Sequence, residues 1–174
     1  MEQTDGAGGV ELQKDPVVHE DVWESIKSVT NAKQFAAVFR LTEDESEIIP
    51  ETSFDWADGG LWPKLLAHFS PLDQDIRWAV VNLPYTTDSG GKRNKVVFIT
   101  WVPDTLTRKS MRESVRVKFN GVQFGTPMRK QASKSGASLY QANDLDDLTL
   151  DSVLSKVTRF ERDEINKESL AMLR

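Results

Sequence analysis

The residues able to carry covalent or metal chemistry are few and wrongly spaced for it. The two histidines, His19 and His68, stand far apart and form no metal-ligand spacing, so each reads as a surface or structural residue. There is no cysteine, which removes disulfides, thiolate metal sites and a thiol nucleophile. Gly90-Gly91-Lys92 begins like a phosphate loop. That motif needs a glycine where Thr86 stands and a serine or threonine where Arg93 stands, so it fails. Asp144, Asp146 and Asp147 lack the glycine and closing glutamate of a calcium loop, and they read as charge biased toward a helix N-terminus. The sequence predicts no catalytic residue, no metal and no cofactor, and therefore a binding protein rather than an enzyme.

What the chain does carry is charge gathered in one stretch. From Lys92 to Lys134 there are 11 basic residues, among them Arg93, Lys95, Arg108, Lys109 and Arg112, against Asp104 and Glu113, a balance of +9. The rest of the chain holds 11 basic and 25 acidic residues, a balance of -14, and the whole is -5. Such a molecule is steered basic side first toward an acidic surface. Nucleic acid is not the expected partner, because these cations are not interleaved with surface aromatics and the protein is acidic overall. At 174 residues, 39% apolar and 28% charged, the chain has the make-up of one globular domain with a core. No apolar run approaches the roughly 18 residues of a membrane span, and the N-terminus lacks the basic start and apolar segment of a signal peptide. The expectation is a cytoplasmic monomer.

The elements that position these charges follow from periodicity. Residues 1–16 read as a disordered tail. Val22, Trp23, Ile26 and Val29 recur at helical spacing, giving a helix over 19–30, and strands follow over 35–41 and 47–54 around an acidic turn. Trp62, Leu65, Leu66 and Phe69 predict a short helix with Pro63 in its first turn. A strand over 76–83, a turn at Asp88-Ser89-Gly90-Gly91 and a strand over 96–102 come next. The run Val96 to Val102 is apolar without alternation, which predicts a central strand covered on both faces. Asp104 and Thr105 offer a helix cap. Beyond them Met111, Val115, Phe119 and Val122 fit one helical face, while Val115, Val117, Phe119, Asn120-Gly121, Val122 and Phe124 fit a hairpin with a type I′ turn equally well. A helical piece from Thr126-Pro127 to Gly136, a strand over 138–142 and a helix capped by Thr149 or Asp151 follow. Residues 159–174 read as a charged helical tail. Trp23, Trp62, Trp78 and Trp101 read as core, and Trp56 as partly exposed.

The stretch Lys92-Arg93-Asn94-Lys95, running into a strand that ends Ile99-Thr100-Trp101, resembles the actin-depolymerising-factor homology (ADF-H) family, and most of all its coactosin branch. Leu139-Tyr140-Gln141-Ala142-Asn143-Asp144-Leu145 is similar to the family's last strand and acidic link. The resemblance covers residues 17–158. It implies an α+β fold, a single ADF-H-like domain with a central mixed β-sheet and helices on both faces. It also implies a non-catalytic, coactosin-like actin-binding protein of the cytoskeleton that meets filaments rather than monomers through one basic surface. By the same resemblance Lys92, Arg93 and Lys95 match the coactosin basic turn, and Arg108, Lys109 and Arg112 the start of the family's long actin-binding helix. Several residues added between Met111 and Ser138, with Asn120-Gly121 among them, interrupt that helix in the expected structure and argue against severing. The alternatives are a cofilin-like depolymerising protein and an ADF-H module docking a partner other than actin.

Overall fold

Strands that are apolar on both sides need cover on both sides, and the computed structural model supplies it. It describes residues 15–159 and 165–174. In chain order the elements are β1 (Val17–Val18), α1 (Glu20–Thr30), β2 (Ala36–Leu41), β3 (Glu47–Phe54), α2 (Leu61–Phe69), β4 (Arg77–Thr87), β5 (Lys92–Trp101), α3 (Met111–Phe124), α4 (Thr126–Lys134), β6 (Ser138–Ala142), α5 (Leu150–Val157) and β7 (Ile165–Asn166). The described strands make one sheet in the order β1-β3-β2-β4-β5-β6, with β7 paired to β4. β1–β3 and β5–β6 are parallel and the other pairs antiparallel, so the sheet is mixed, as expected.

Alternation along β4 and β5 divides the core. Trp78, Val80 and Phe98 face α1, the end of α3 and α4, where they meet Val22, Ile26, Val29, Phe124, Met128 and Ala132. Ala79, Val81, Val97 and Ile99 face α2 and α5, where they meet Leu65, Phe69, Val153 and Leu154. The run of apolar residues in β5 is therefore buried on both faces, as its sequence predicts. Its place differs from the expectation: β5 lies between β4 and the edge strand β6, and β4 holds the middle of the sheet. β4 also runs on past Pro84 to Thr87, because β2 stops pairing at Val81 and leaves that side open. Thr149 caps α5, accepting from Ser152 N–H. His19 caps α1, its Nδ1 accepting from Asp21 N–H at 3.2 Å.

Three expectations need correction. α3 starts at a Ser110 cap that accepts from Glu113 N–H at 3.1 Å, while Thr105 instead donates to the carbonyl of Asp73. Residues 111–124 are one continuous helix that passes through Asn120 and Gly121, so neither the hairpin nor the interruption occurs. The reason is close approach to β4. A Cβ on Gly121 would lie 2.4 Å from Ile76 Cδ1, and one on Gly125 2.4 Å from Trp78 Nε1. Trp78 Nε1–H donates to the Gly121 carbonyl at 2.9 Å. The helix breaks at Gly125, two residues before Pro127, which has no amide hydrogen to continue it. In the described part of 159–174 the expected charged helical tail is a short strand followed by a packed 3-10 helix. Residues 165–166 pair with β4, and Lys167–Leu173 is a 3-10 helix with Leu170 and Leu173 fully buried. The expected disordered N-terminal tail lies almost wholly outside the described residues.

His68 joins a charged cluster that ties three elements together. Between β2 and β3 the register shifts at Val38 and Phe39, which face Thr52 and Pro50, so Glu51 of β3 is left as the extra residue of a bulge. Its carboxylate oxygen Oε2 accepts from Arg77 Nε of β4 at 2.9 Å and meets His68 Nε2 of α2 at 2.8 Å. Burial alone would raise the Glu51 carboxyl. The bonds from Arg77 and His68, with the Arg77 charge, overcome burial and hold it below its ordinary value of 4.5.

Two predictions follow from this packing. Replacing a helical glycine by alanine usually gains about 0.4–1 kcal/mol. At Gly125 the added methyl meets a rigid buried indole, so Gly125→Ala should lose about 1–3 kcal/mol in urea denaturation. A variant as stable as the wild type would show that α3 is not seated on Trp78. The second concerns acid. A carboxyl lower in the folded than in the unfolded chain stabilises fully above its ordinary value, and that stability is lost as pH falls through the folded value. Stability of the wild type should therefore decline more steeply below pH 4.5 than that of Glu51→Gln. Parallel acid profiles of the two proteins would remove Glu51 from the account.

Candidate functional site

The six cations singled out in the sequence do not form one surface. β5 extends from Lys92 to Trp101, about 30 Å at roughly 3.3 Å per residue. Lys92, Arg93 and Lys95 stand at its start. Arg108, Lys109 and Arg112 stand beyond its end, where the chain turns into α3. The expectation of a single basic patch gives way to two, one at each end of the strand.

The first patch is carried by a projecting ribbon. β2 pairs with β4 no further than Val81, and β6 pairs with β5 no further than Val97. Residues 83–96 therefore continue as two strands beyond their neighbours. Thr87 builds the tip. Its N–H donates to the Gly91 carbonyl at 2.9 Å, and its Oγ1 accepts from Gly91 N–H at 3.1 Å. Gly90 takes a φ of 87°, in the left-handed region that suits glycine. Alternation puts Arg93 and Lys95 on the face shared with Val97, and Lys92 on the other. Lys92 and Arg93 are exposed and Lys95 is half-buried.

The second patch is the outer face of α3. Because Gly121 and Phe124 turn toward the sheet, Met111, Val115 and Phe119 turn away from it, at 83%, 62% and 61% exposure. Positions i, i+4 and i+8 make one apolar stripe along the helix. Lys109 and Arg112 are exposed at its start. Lys118 is half-buried, and its Nζ donates to the Asp104 carbonyl at 3.3 Å. Arg108 is placed differently. It is half-buried, and its guanidinium donates to the Gln74 carbonyl at 2.8 Å, which fixes the loop leading into α3. The stripe residues were visible in the sequence as one helical face, with a hairpin equally open, and the direction of that face was not assigned. Only the competing inner face, set by the glycines, shows that they point outward.

Between α3 and the turn joining β2 to β3 lies an open cleft of about 470 Å³. Four arginines line it, and each is already engaged. Arg40 donates to the Leu41 carbonyl, Arg77 to Glu51 and Arg108 to the Gln74 carbonyl, while Arg116 pairs with Glu45 at 3.2 Å. The cleft is a seam that ties α3 to the sheet. Among the described residues no group of three or more metal-ligating side chains comes together, and no helix is long and apolar enough to cross a membrane. What this arrangement can do is dock: an amphipathic helix face with cations beside it, and a cationic ribbon about one strand-length away.

Comparison with known proteins places the architecture. Residues 17–158 match the family described as cofilin/tropomyosin-type actin-binding protein. A cofilin of Ogataea parapolymorpha is 28% identical over 145 residues, covering 82% of this chain and 92% of that protein. The ADF-like UNC-60A protein of Caenorhabditis elegans shares the fold with a TM-score of 0.65 at 15% identity, over 85% of this chain and 97% of that one. The human coactosin-like protein does so with a TM-score of 0.61 at 15% identity, over 88% of this chain and 94% of that one.

Proposed function

The chain belongs to the cofilin/tropomyosin-type actin-binding family, and we propose that it binds actin filaments along their sides, as a monomer in the cytoplasm, by contact and without catalysis. The observation that carries this reading is the stripe Met111, Val115 and Phe119. Three large apolar side chains exposed in line on one helix are unusual on a free surface and are suited to a partner's groove. Lys109 and Arg112 supply charge complementary to an acidic filament, and Arg108 acts by fixing the start of the helix. Lys92, Arg93 and Lys95 form a second contact. Two contacts about 30 Å apart on a rigid strand suit a repeating surface, where each end meets a different part of the polymer. This division is what favours filament over monomer, in the manner of coactosin.

A second reading, cofilin-like depolymerisation or severing, is favoured by one observation. α3 runs unbroken through Asn120 and Gly121, which supplies the continuous helix that the sequence argued against. Single-filament imaging at saturating protein separates the two readings. Decorated, intact filaments are expected; rapid fragmentation would transfer the assignment to severing.

Three measurements test the contacts. Phe119→Ser should weaken cosedimentation on the order of tenfold, the loss typical of one central anchor. Because Phe119 is 61% exposed, the unfolding free energy should move by less than about 0.5 kcal/mol. Replacing Lys92 and Lys95 with alanine should also lower cosedimentation, again with a nearly constant thermal midpoint. Wild-type binding by either folded variant would dismiss that contact. Binding should fall as salt rises, since exposed charges are screened beyond about 8 Å at physiological ionic strength; affinity constant over a several-fold salt range would eliminate the charged contacts.

A further inference from the structure

The ribbon that carries Lys92, Arg93 and Lys95 has a support that lies outside the family match, which ends at residue 158. A two-stranded hairpin alone is marginally stable in water. Here residues 83–96 project past β2 on one side and β6 on the other, and Pro84 leaves a gap in the donors along the β2 side. Residues 165–173 close that side. Asn166 and Ile165 pair with Thr86 and Thr87, the last two residues of β4. The 3-10 helix that follows is anchored by Leu170 and Leu173, both at 0% exposure, in the layer that also holds Leu83 and Tyr85.

One side chain connects this anchor to the ribbon. Ser169 Oγ accepts from Thr86 N–H at 3.0 Å, and its hydroxyl donates to the Asn166 carbonyl at 2.6 Å. Asn166 Oδ1 accepts in turn from Glu168 N–H at 3.0 Å, capping the short helix. Thr86 is the residue directly opposite Lys92 in the ladder. The hydroxyl of Ser169 thus fixes the backbone across from the first cation, at a point that β2 does not reach.

We propose that residues 165–173 are a strap that holds the basic ribbon in its binding geometry, with Ser169 as the positioning residue. This rests on the reading of the ribbon as a filament contact. The strap sets the direction of Lys92, Arg93 and Lys95 and contributes little to global stability through Ser169 itself. A ribbon free to swing would lose the orientation of its charges before it lost its fold.

The test uses the full chain as wild type, Ser169→Ala and Ser169→Thr. Amide hydrogen exchange, filament cosedimentation and thermal unfolding are measured on all three. In Ser169→Ala the amides of residues 85–95 should exchange about fivefold faster, the loss expected for one net hydrogen bond. Amides of α1 and the thermal midpoint should stay where they are, and filament affinity should fall several-fold. Ser169→Thr keeps the hydroxyl and should restore both exchange and affinity. Unchanged ribbon exchange in Ser169→Ala overturns the strap, as does a loosened ribbon with unaltered affinity. A drop in thermal midpoint that Ser169→Thr does not restore overturns it too, because Ser169 is then only a packing residue. If the wild type fails to cosediment, the filament reading fails by itself, and ribbon exchange still decides whether the strap holds the ribbon.

Discussion

The contact on which the outer face of α3 depends is that between the Trp78 indole and the backbone of the helix. Trp78 is almost fully buried in the middle strand, and its N–H donates to the Gly121 carbonyl. Gly121 and Gly125 are one turn apart, so together they leave a bare strip of backbone where the sheet's side chains fit. That strip sets which side of α3 faces inward. Once Gly121 and Phe124 are turned to the core, Met111, Val115 and Phe119 have nowhere to go but outward. The same device recurs at three other indoles. Trp56, Trp62 and Trp101 donate to the carbonyls of Ala32, Leu148 and Leu72. Each ring fills apolar space while its one donor fixes a connecting segment, and so the loops inherit the order of the core.

This arrangement explains what could be read in the sequence. The apolar strand at Val96 to Val102, the amphipathic helix around Val22 and Ile26, and the cap at Thr149 follow from local periodicity and capping chemistry; helix and cap stand as expected, and the strand is present but starts earlier, at Lys92, and lies off the middle of the sheet. α3 resisted that method for a physical reason. An apolar stripe has the same helical period whether it faces a core or a partner. Asn120-Gly121 carries a strong local turn signal, and tertiary packing against Ile76 and Trp78 overrides it. A glycine that serves close approach cannot be told from one that serves a turn until the neighbouring strand is in place.

The C-terminal segment was illegible for a different reason. Its composition is charged, and Leu170 and Leu173 are too few to announce a core element. What they pack against lies about eighty positions earlier, in β4 and its surroundings. No window along the chain contains that contact. The end of β4 was misplaced for a related reason: Pro84 stops a strand flanked on both sides, but it is admissible where one side is open.

The division of the basic sector into two surfaces has a consequence for how the charges work together. Viewed along the sequence, 11 cations from Lys92 to Lys134 form one block. In space that block is drawn out along β5 and back along α3 and α4, over a length of about 30 Å, several times the roughly 8 Å screening length at physiological salt. The two ends therefore attract a partner almost independently, and any cooperation between them has to come through geometry. β5 supplies that geometry. Val97, Phe98 and Ile99 are fully buried between layers of helices, so the strand cannot stretch or bend without disturbing the core. The stretch of β5 between helix and ribbon is thus as fixed as the core, and on our proposal residues 165–173 carry that order out to the ribbon. A partner that matches this spacing meets the second contact at high effective concentration once the first is made, and one that does not match it gains a single weak contact. On the proposed reading, selectivity resides in a length set by apolar residues buried in the core.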